Sequence, residues 1–460
     1  MRLKPIIAPA AVIVVFAAFA APIVPQDSVT MNQAEDSRLV TITYTLSDGP
    51  AIVTLDVQTN RTGAATADEA DWASIGAEHF NNAEGAVNRL VSPASATERQ
   101  TILWQPIESW AGECNEATRA VVTAWSTNSP PPYMVVDLRR DEVRPDAAEP
   151  RVRYYISTNA LPHGGLTNDV YRNAYMAMRL IPAQGRTFKM GSPSTEYAHG
   201  NSGSAEAFHF VTFTNADFYM GVFPITRGQA RNFCSEGKND NAGIIDMRLP
   251  NGTWIYQYIN CIGESNNVPA NIYSHGIMRG SGAGYTWPDD WHAVAADSLC
   301  GLMRGRTGAE FDLPTDAQWE FACRAGTTST YYNTTNTVTA ANIQSIAGEI
   351  AWCDFNTKID GKYYLPRTGL KEPNAWGLYD MCGSLYELCL DYYESDLGEA
   401  HVFEPVGPAT GDKRVTRGGC YTYAPGYARS SCRHRTGDSS MTMNTGVRLV
   451  CPANLKWPAK

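Results

Sequence analysis

Apolar and polar residues alternate in short runs through the N-terminal third of the chain. Residues 39–45 (LVTITYT) have a period of two, turn-forming residues 47–50 (SDGP) follow, and residues 51–57 alternate again. This pattern predicts two half-buried strands joined as a hairpin. Further strand-like runs occupy residues 101–104, 120–125 and 133–138. Short strands separated by polar loops are typical of a β-sandwich, so we expect an all-β domain over residues 28–138.

The pattern changes after this region. Residues 139–150 (RRDEVRPDAAEP) are charged and punctuated by proline, which favours a linker. With the transitional residues that follow, we predict a linker over 139–175 and a second domain over 176–454. The predicted sandwich contains no catalytic constellation, so a spacer or adhesion-type module is its expected role.

In the second domain the pattern predicts both strands and helices. Strands are expected at 208–214 and 218–226, with Thr226 capping a helix over 227–234. The insert at 239–290 is rich in Gly, Asn and Ser, and we expect it to form surface loops.

A second helix is predicted over residues 315–324. Thr315 can cap its N-terminus, and Gln318 lies at the third following position, as a capping box requires. The apolar residues of this segment define the face that the helix should bury: Trp319, Ala322 and Cys323.

Composition excludes several classes of partner. The 460 residues carry a formal net charge of −10 at pH 7, and only 18% of them are charged. A net negative chain does not favour nucleic acid or an anionic membrane surface. After the N-terminus, no segment is apolar enough to span a bilayer.

The N-terminus itself resembles a secretion signal. Arg2 and Lys4 precede the apolar run 6–19, and residues 18–20 (AFA) form a small-x-small cleavage site. A membrane anchor is the alternative, but the run is shorter than the roughly 20 residues that a spanning helix needs. We therefore predict a signal peptide over residues 1–20 and a secreted, periplasmic or cell-surface protein.

The chain has eleven cysteines, an odd number. In an exported protein this suggests disulfides and at least one thiol that is free or intermolecular. Cys114 lies apart from the others and is the candidate for the unpaired residue. No CxxC pair occurs, which argues against a cysteine-rich zinc site.

Three segments of the second domain carry a family resemblance. They are residues 311–327 (FDLPTDAQWEFACRAGT), 373–393 (PNAWGLYDMCGSLYELCLDYY) and 414–451, which opens with RVTRGGC and closes with GVRLVC. In this order they resemble the sulfatase-modifying factor family, which includes the formylglycine-generating enzymes. The resemblance implies an α+β domain with a variant of the C-type lectin fold, preceded here by the all-β sandwich.

The resemblance also implies calcium sites. Oxygen ligands from carboxylates and carbonyls are those that calcium prefers. The family's structural site matches Asp380, Gly383, Leu385 and Glu387 in this sequence, and a second family site would use Asn342 and Ile343. The alternative is a carboxylate pair bonded to loop amides without a metal.

Copper is the cofactor that the resemblance implies for catalysis, and here the sequence departs from the family. Formylglycine-generating enzymes bind copper(I) through two cysteines, about five residues apart, after the paired glycines. In this chain residues 421–427 (YTYAPGY) contain no sulfur, and only Cys420 and Cys432 follow Gly419 before Gly446. These two are candidates for a replacement site, but a disulfide between them is the alternative, so we expect no copper.

Other reaction classes have no support in the sequence. Iron-dependent relatives need a histidine cluster, and the eight histidines here are scattered without i, i+3 or i, i+4 pairs. No GxSxG elbow, Walker loop or Rossmann fingerprint is present.

A segment rich in Tyr and Arg follows Gly419, and these residue types make frequent binding hot spots. We predict that it contacts a protein or glycan ligand through Tyr421, Tyr423, Tyr427, Arg429 and Arg433. The alternative for the two arginines is pairing with core carboxylates. Two functions follow: a non-catalytic binding module, and an oxygen-dependent oxidoreductase that converts a substrate cysteine to formylglycine or performs a related oxidation.

Overall fold

The computed structural model describes residues 21–33, 37–60, 69–106, 118–144, 149–201, 203, 206–240, 244–258, 265–271, 273–281 and 293–454. The predicted signal peptide lies outside these residues, as do Cys114 and Cys261. No helix within the described residues is long and apolar enough to cross a membrane.

The N-terminal region is an all-β sandwich, as expected. Its strands are β1 (Thr30–Gln33), β2 (Val40–Thr45), β3 (Ala51–Asn60), β4 (Trp72–Ser74), β5 (Glu84–Gly85), β6 (Arg89–Val91), β7 (Arg99–Trp104) and β8 (Thr118–Trp125). One sheet has the order β1-β2-β7-β5, and in the other β3 pairs with β4, β6 and β8. Ile42 and Tyr44 from the first sheet share a buried core with Val53 and Leu55 from the second.

The predicted hairpin is wrong, although both of its strands are present. β2 pairs with β1 and β7, whereas β3 pairs with β4, β6 and β8. Every second residue of β2 is buried. The connection through Asp48 and Gly49, both with positive φ, carries the chain from one sheet to the other, because each strand buries its apolar face against the opposite sheet.

The last strand of the predicted N-terminal domain, 28–138, pairs with strands of the C-terminal region. The strand at β9 (Tyr133–Asp137) lies in the C-terminal region, between β10 (Val152–Tyr155) and β11 (Tyr175–Ile181), in a five-stranded antiparallel sheet. The predicted linker at 139–175 supplies β10 and the helix α1 (Val170–Asn173) to this region. Alternation identified the strand at 133 but carried no information about which sheet it joins.

The C-terminal region is α+β. Its remaining helices are α2 (Arg227–Ala230), α3 (His275–Arg279), α4 (Leu299–Thr307), α5 (Asp316–Arg324) and α6 (Ile343–Ile350). Its remaining strands are β12 (Thr187–Met190), β13 (His209–Thr212), β14 (Phe218–Gly221), β15 (Ser235–Asp240), β16 (Ile244–Arg248), β17 (Trp254–Tyr258), β18 (Ala351–Trp352), β19 (Lys358–Ile359), β20 (Lys362–Tyr363), β21 (Cys382–Gly383), β22 (Tyr386–Tyr392), β23 (Val402–Phe403), β24 (Lys413–Arg417), β25 (Arg433–Gly437), β26 (Thr445–Gly446) and β27 (Val450–Pro452).

Two sheets of this region position the site. The five-stranded sheet has the order β10-β9-β11-β14-β27, so it joins the first and last strands of the region. A four-stranded sheet has the order β25-β24-β22-β26 and contains two of the three family segments. The region therefore has the expected α+β class, with two of the family segments gathered in one sheet.

The predicted helix 315–324 is confirmed in detail. Thr315 accepts a hydrogen bond from the Gln318 backbone, and the Gln318 side chain accepts one from the Thr315 backbone. Trp319, Ala322 and Cys323 are completely buried. The helix at 227–230 has the same type of cap at Thr226.

The insert at 239–290 differs from the expected loops. Its described residues contribute to the antiparallel sheet β15-β16-β17 and include α3. Asn251 and Gly252 lie in the turn between β16 and β17, so their turn-forming character is local to that connection.

Candidate functional site

The candidate site is built on the connection between β24 and β25, which form an antiparallel pair. The connection starts at Gly418 and Gly419, with φ of 90° and 74°. A Cβ atom on Gly419 would lie 2.9 Å from the Ala428 backbone. Glycine is therefore required for the chain to turn back tightly on itself at this point.

Four aromatic rings gather around this connection. The imidazole of His434 stacks on the ring of Tyr386, with centroids 4.7 Å apart. The ring of Tyr423 lies edge-on to two other rings. Its centroid is 5.8 Å from that of Tyr386 and 5.2 Å from that of Tyr427. We call these four residues the aromatic cluster. Such edge-to-face and stacked arrangements stabilise each ring in one orientation.

The aromatic cluster is partly exposed, and its buried members have shifted pKa values. Tyr423 is 36% exposed, whereas Tyr386 is 4% exposed. Burial raises the pKa of Tyr386 far above its usual range, with nearby Cys420 as a further cause. Burial and the neighbouring Arg435 lower the pKa of His434. These shifts favour the neutral forms of Tyr386 and His434.

The hydroxyl of Tyr386 has no hydrogen-bond partner within the described part of the chain, although it is buried. An unsatisfied buried polar group costs about 1–3 kcal/mol. A ligand group or a water molecule that bonds to this hydroxyl would recover that free energy.

Hydrogen bonds to the main chain hold the connection in place. Thr357 donates its hydroxyl to the Tyr421 carbonyl at 2.6 Å, and the Asp354 amide donates to the Tyr423 carbonyl at 3.0 Å. Tyr331 donates its hydroxyl to the Pro425 carbonyl at 2.6 Å. The aromatic cluster is thus presented by a preorganised backbone.

Arg429 is completely buried and serves this scaffold. Its guanidinium donates to both carboxylate oxygens of Glu206 at 2.8 Å and to Glu196 at 2.5 Å. Burial alone would raise the pKa of Glu206, but the hydrogen bonds from Arg429 hold it below the usual range.

Arg433 is also buried. Its Nε donates to Asp316 at 2.7 Å and its Nη1 to the Glu394 carbonyl at 2.9 Å. The alternative for the two arginines, pairing with core carboxylates, is therefore confirmed. Tyr421 is only 1% exposed. Of the five predicted contact residues, Tyr423 and Tyr427 keep exposed surface, whereas Tyr421, Arg429 and Arg433 are buried and support the fold.

The two candidate catalytic cysteines are buried beside the aromatic cluster. Cys420 is 1% exposed, its sulfur lies 3.3 Å from the Thr422 hydroxyl, and burial raises its thiol pKa to about 11. Cys432 is likewise 1% exposed. Both residues lie close enough to Tyr386 to contribute to its raised pKa.

The nine cysteines of the described residues are buried thiols and do not form disulfides. The expectation of disulfides is wrong for these nine. Cys323 and Cys353 illustrate the reason, since they lie in the apolar core with Trp319 and Ile350. They behave as small hydrophobic residues.

The predicted calcium site fits at one end only. Asp380 is buried, its Oδ2 accepts from the Gly369 amide, and its Oδ1 has no hydrogen-bond partner among the described residues. Both oxygens of Glu387, however, bond to Arg448, and Oε2 also accepts from the Trp319 indole at 2.7 Å. A divalent cation at Glu387 would lie next to the guanidinium, so the predicted ligand set does not fit.

At the second predicted calcium site, Asn342 has a structural role. The side-chain oxygen of Asn342 accepts from the Thr339 amide at 2.7 Å, which organises the turn before α6. Ile343 is the first residue of that helix. Within the described residues no group of three or more His, Cys, Asp or Glu side chains could hold a metal ion.

Sequence reasoning placed His434 beside the tyrosine- and arginine-rich segment but missed the contribution of Tyr386 to the aromatic cluster. Tyr386 lies on β22 and His434 on β25, so only the folded sheet brings them to the connection at 421–427. The only sequence signal is the spacing of His434 after the tyrosine-rich segment.

The C-terminal region is similar to known proteins. Residues 168–453 match the family described as sulfatase-modifying factor enzyme 1-like domain. The serine/threonine-protein kinase pkn1 of Chlamydia pneumoniae is 32% identical over 46% of this chain and 33% of that protein. The formylglycine-generating enzyme of Thermomonospora curvata is 32% identical over 35% of this chain and 55% of the enzyme. The chain thus spans about a third to a half of the length of these curated relatives.

Two solved structures are similar in outline. Treponema denticola variable protein 1 has a TM-score of 0.42 and 19% identity, over 61% of this chain and 96% of that one. PvdO from Pseudomonas aeruginosa has a TM-score of 0.41 and 18% identity, over 60% of this chain and 94% of that one.

Proposed function

Because the chain belongs to the sulfatase-modifying factor enzyme 1-like domain family, we propose that it is an exported, non-catalytic member that binds a protein or glycan through the aromatic cluster. The observation that carries this proposal is the cluster itself. Neutral aromatic rings occupy the connection where the family resemblance places copper-binding cysteines.

The geometry favours binding for two reasons. Rigid aromatic side chains offer a large contact area at a small cost in conformational entropy. Here the rings of Tyr423 and Tyr427 are held by contacts with each other and by a hydrogen-bonded backbone. In addition, the unsatisfied hydroxyl of Tyr386 offers a directional bond to a ligand.

Binding through aromatic rings predicts an affinity that depends little on salt. Stacking on sugar rings or on apolar peptide side chains does not depend on ion pairs, so its affinity should change little with salt. Export is inferred from the signal-like N-terminus, which agrees with a ligand outside the cell.

A glycan array tests the glycan arm with the full mature chain. We expect discrete glycans to bind to the wild type and to Phe210→Ser, and to be lost in Tyr423→Ser. Phe210 is a matched control because it is an exposed aromatic residue, 51% exposed, on β13 and outside the aromatic cluster. Equal binding by both variants would overturn the role of the cluster.

An oxygen-dependent oxidoreductase is the second candidate function. It is favoured by the proximity of Cys420 and Cys432 to Tyr386 and by the similarity to formylglycine-generating enzymes. If copper(I) were bound, these two sulfurs would be its soft ligands. Both thiols are buried, and burial raises the pKa of Cys420 to about 11, which disfavours its thiolate form.

Turnover of a Cys-x-Pro-x-Arg peptide separates the two functions. The protein is incubated with copper(I), a reductant, oxygen and the peptide, and the peptide is analysed by mass spectrometry. The binding proposal expects an unchanged peptide. Conversion of the cysteine to an aldehyde, lost in Cys420→Ser, would establish the oxidoreductase instead.

A further inference from the structure

A small pocket of about 70 Å³, partly open to solvent, lies in the C-terminal region and is lined by none of the four cluster residues. Its walls are mainly apolar and come from Met190, Leu397, Val402 and Pro405. Its polar lining includes Asp391 on β22 and Asp316 at the start of α5. An apolar pocket with a few convergent polar groups is the usual form of a small-ligand site.

The two carboxyl groups of this pocket differ in their partners. Asp316 accepts from Arg417 Nε at 2.5 Å and from Arg433 Nε at 2.7 Å, so its charge is compensated. Asp391 is 4% exposed, and its Oδ2 accepts from the Asp316 backbone amide at 2.8 Å. Within the described residues Asp391 has no ion pair.

The surroundings of Asp391 favour its protonated form. The ionisable groups around it are Asp316 on α5, Arg433 on β25, His209 on β13, and Cys389 and Tyr392 on its own strand. Burial and the Asp316 carboxylate raise the pKa of Asp391 to about 8, against the opposing effect of Arg433. At pH 7 the pocket therefore has a neutral carboxylic acid beside a compensated ion pair.

We propose that this pocket binds a neutral primary carboxamide on a short alkyl chain, with Asp391 as its hydrogen-bonding partner. The acid hydroxyl donates to the amide oxygen, and an amide N–H donates to the acid carbonyl. The alkyl chain contacts the apolar walls. A charged ligand would lose its hydration without gaining a free counter-ion, because the charge of Asp316 is already paired.

The carboxamide can come from a free amide or from the side chain of Asn or Gln in a peptide. The inference does not depend on the ligand of the aromatic cluster. It concerns a separate group of residues, and it can fail or succeed independently of the proposed function.

Three probes of matched size test the ligand class: propionamide, propionate and propylammonium. The backbone amide of Asp316 reports on the site, because it donates to Asp391. In ¹⁵N-correlated spectra of the full chain at pH 7, we expect a saturable shift of this amide with propionamide alone. Nα-acetylglutamine methylamide, a model of Gln in a peptide, is added in a separate titration. If the carboxamide comes from a peptide, this compound should bind more tightly than propionamide. Stronger binding of either charged probe, or no saturable shift with any probe, would overturn the inference.

Variants of Asp391 test the mechanism. The affinity of the wild type for propionamide should be constant below pH 7 and fall about tenfold per pH unit above the pKa of Asp391. Asp391→Asn should remove this pH dependence, and Asp391→Leu should abolish binding. Asp396→Asn, which changes an exposed loop carboxylate that accepts from the Gly398 amide, should behave as the wild type. An unchanged pH profile in Asp391→Asn would overturn the role of Asp391, even if Asp391→Leu failed to fold.

Discussion

Arg448 donates hydrogen bonds to both carboxylate oxygens of Glu387. Its Nη2 lies 2.7 Å from Oε1, and its Nε lies 3.0 Å from each oxygen. Neither residue is more than 1% exposed. Arg448 also donates to the carbonyls of Gly221 and Tyr379. One buried ion pair therefore connects β22, β14 and the final segment of the C-terminal region.

Replacing Glu387 with Gln should destabilise the protein strongly. The guanidinium of Arg448 would stay buried without a counter-charge, and breaking a buried ion pair from one side costs about 3–5 kcal/mol. Urea unfolding followed by circular dichroism measures the change in free energy of unfolding. Glu394→Gln is the control, because Glu394 is exposed, and it should cost less than about 0.5 kcal/mol. A loss below 1 kcal/mol in Glu387→Gln would contradict the structural role of the pair.

Calcium should have little effect on stability. Glu387 is already neutralised by Arg448, so the melting temperature should be the same in calcium and in EDTA. Differential scanning fluorimetry on the mature protein makes this comparison. A rise of several degrees with calcium, absent in Asp380→Asn, would instead restore the calcium site that the sequence suggests.

The nine described cysteines should react as free thiols. Protein prepared from an oxidising compartment, without reductant, should show at least nine reactive thiols in denaturant and far fewer when folded, since the nine described cysteines are buried. Ellman's reagent measures both numbers. Fewer than nine thiols in the denatured protein would show disulfides among these residues.

The stability of the fold should depend on pH through Asp391. Its pKa is raised to about 8 in the folded state, so the folded protein holds a proton that the unfolded chain has released above about pH 4. Stability should therefore fall as pH rises toward 8, with a slope of at most about 1.4 kcal/mol per pH unit.

Other groups act in different pH ranges. Asp380, with a pKa raised to about 6, contributes a similar slope only below that pH. Asp316, whose pKa is lowered despite burial by Arg417 and Arg433, stabilises the fold above its unfolded pKa and loses that effect in acid. The lowered pKa of His275 matters only below about pH 6.5. Urea unfolding between pH 6.5 and 8 should thus show a flatter slope in Asp391→Asn, and an unchanged slope would contradict the assignment.

Local sequence patterns predicted local structure well. The capping box of Thr315 and Gln318 defined the start of α5 because both hydrogen bonds form within one turn of chain. The strands around Ile42 and Val53 were visible because alternation reports a buried face. Their pairing was not visible, since a strand's own pattern does not identify its neighbours.

Side-chain burial in the candidate site was the part that sequence could not provide. Arg429 and Tyr421 belong to residue types that favour binding surfaces, yet both are buried. Their direction depends on the turn at Gly419 and on Glu206, which lies 223 residues before Arg429 in the chain. The pocket at Asp391 was equally hidden, because β13, α5 and β25 come together only in the folded domain.

Photo-crosslinking beside the aromatic cluster tests the central claim most directly. p-Benzoylphenylalanine in place of Ala424, an exposed neighbour of Tyr423, reacts with the C–H bonds of proteins and glycans alike. The same group in place of Leu370, which is 58% exposed, serves as the control. After irradiation of mature protein with a cell-envelope extract of the source cells, the account predicts a discrete adduct from position 424 only. That adduct should be lost in Tyr423→Ser and kept in Phe210→Ser. No adduct, or the same adducts from both positions, would contradict binding through the aromatic cluster.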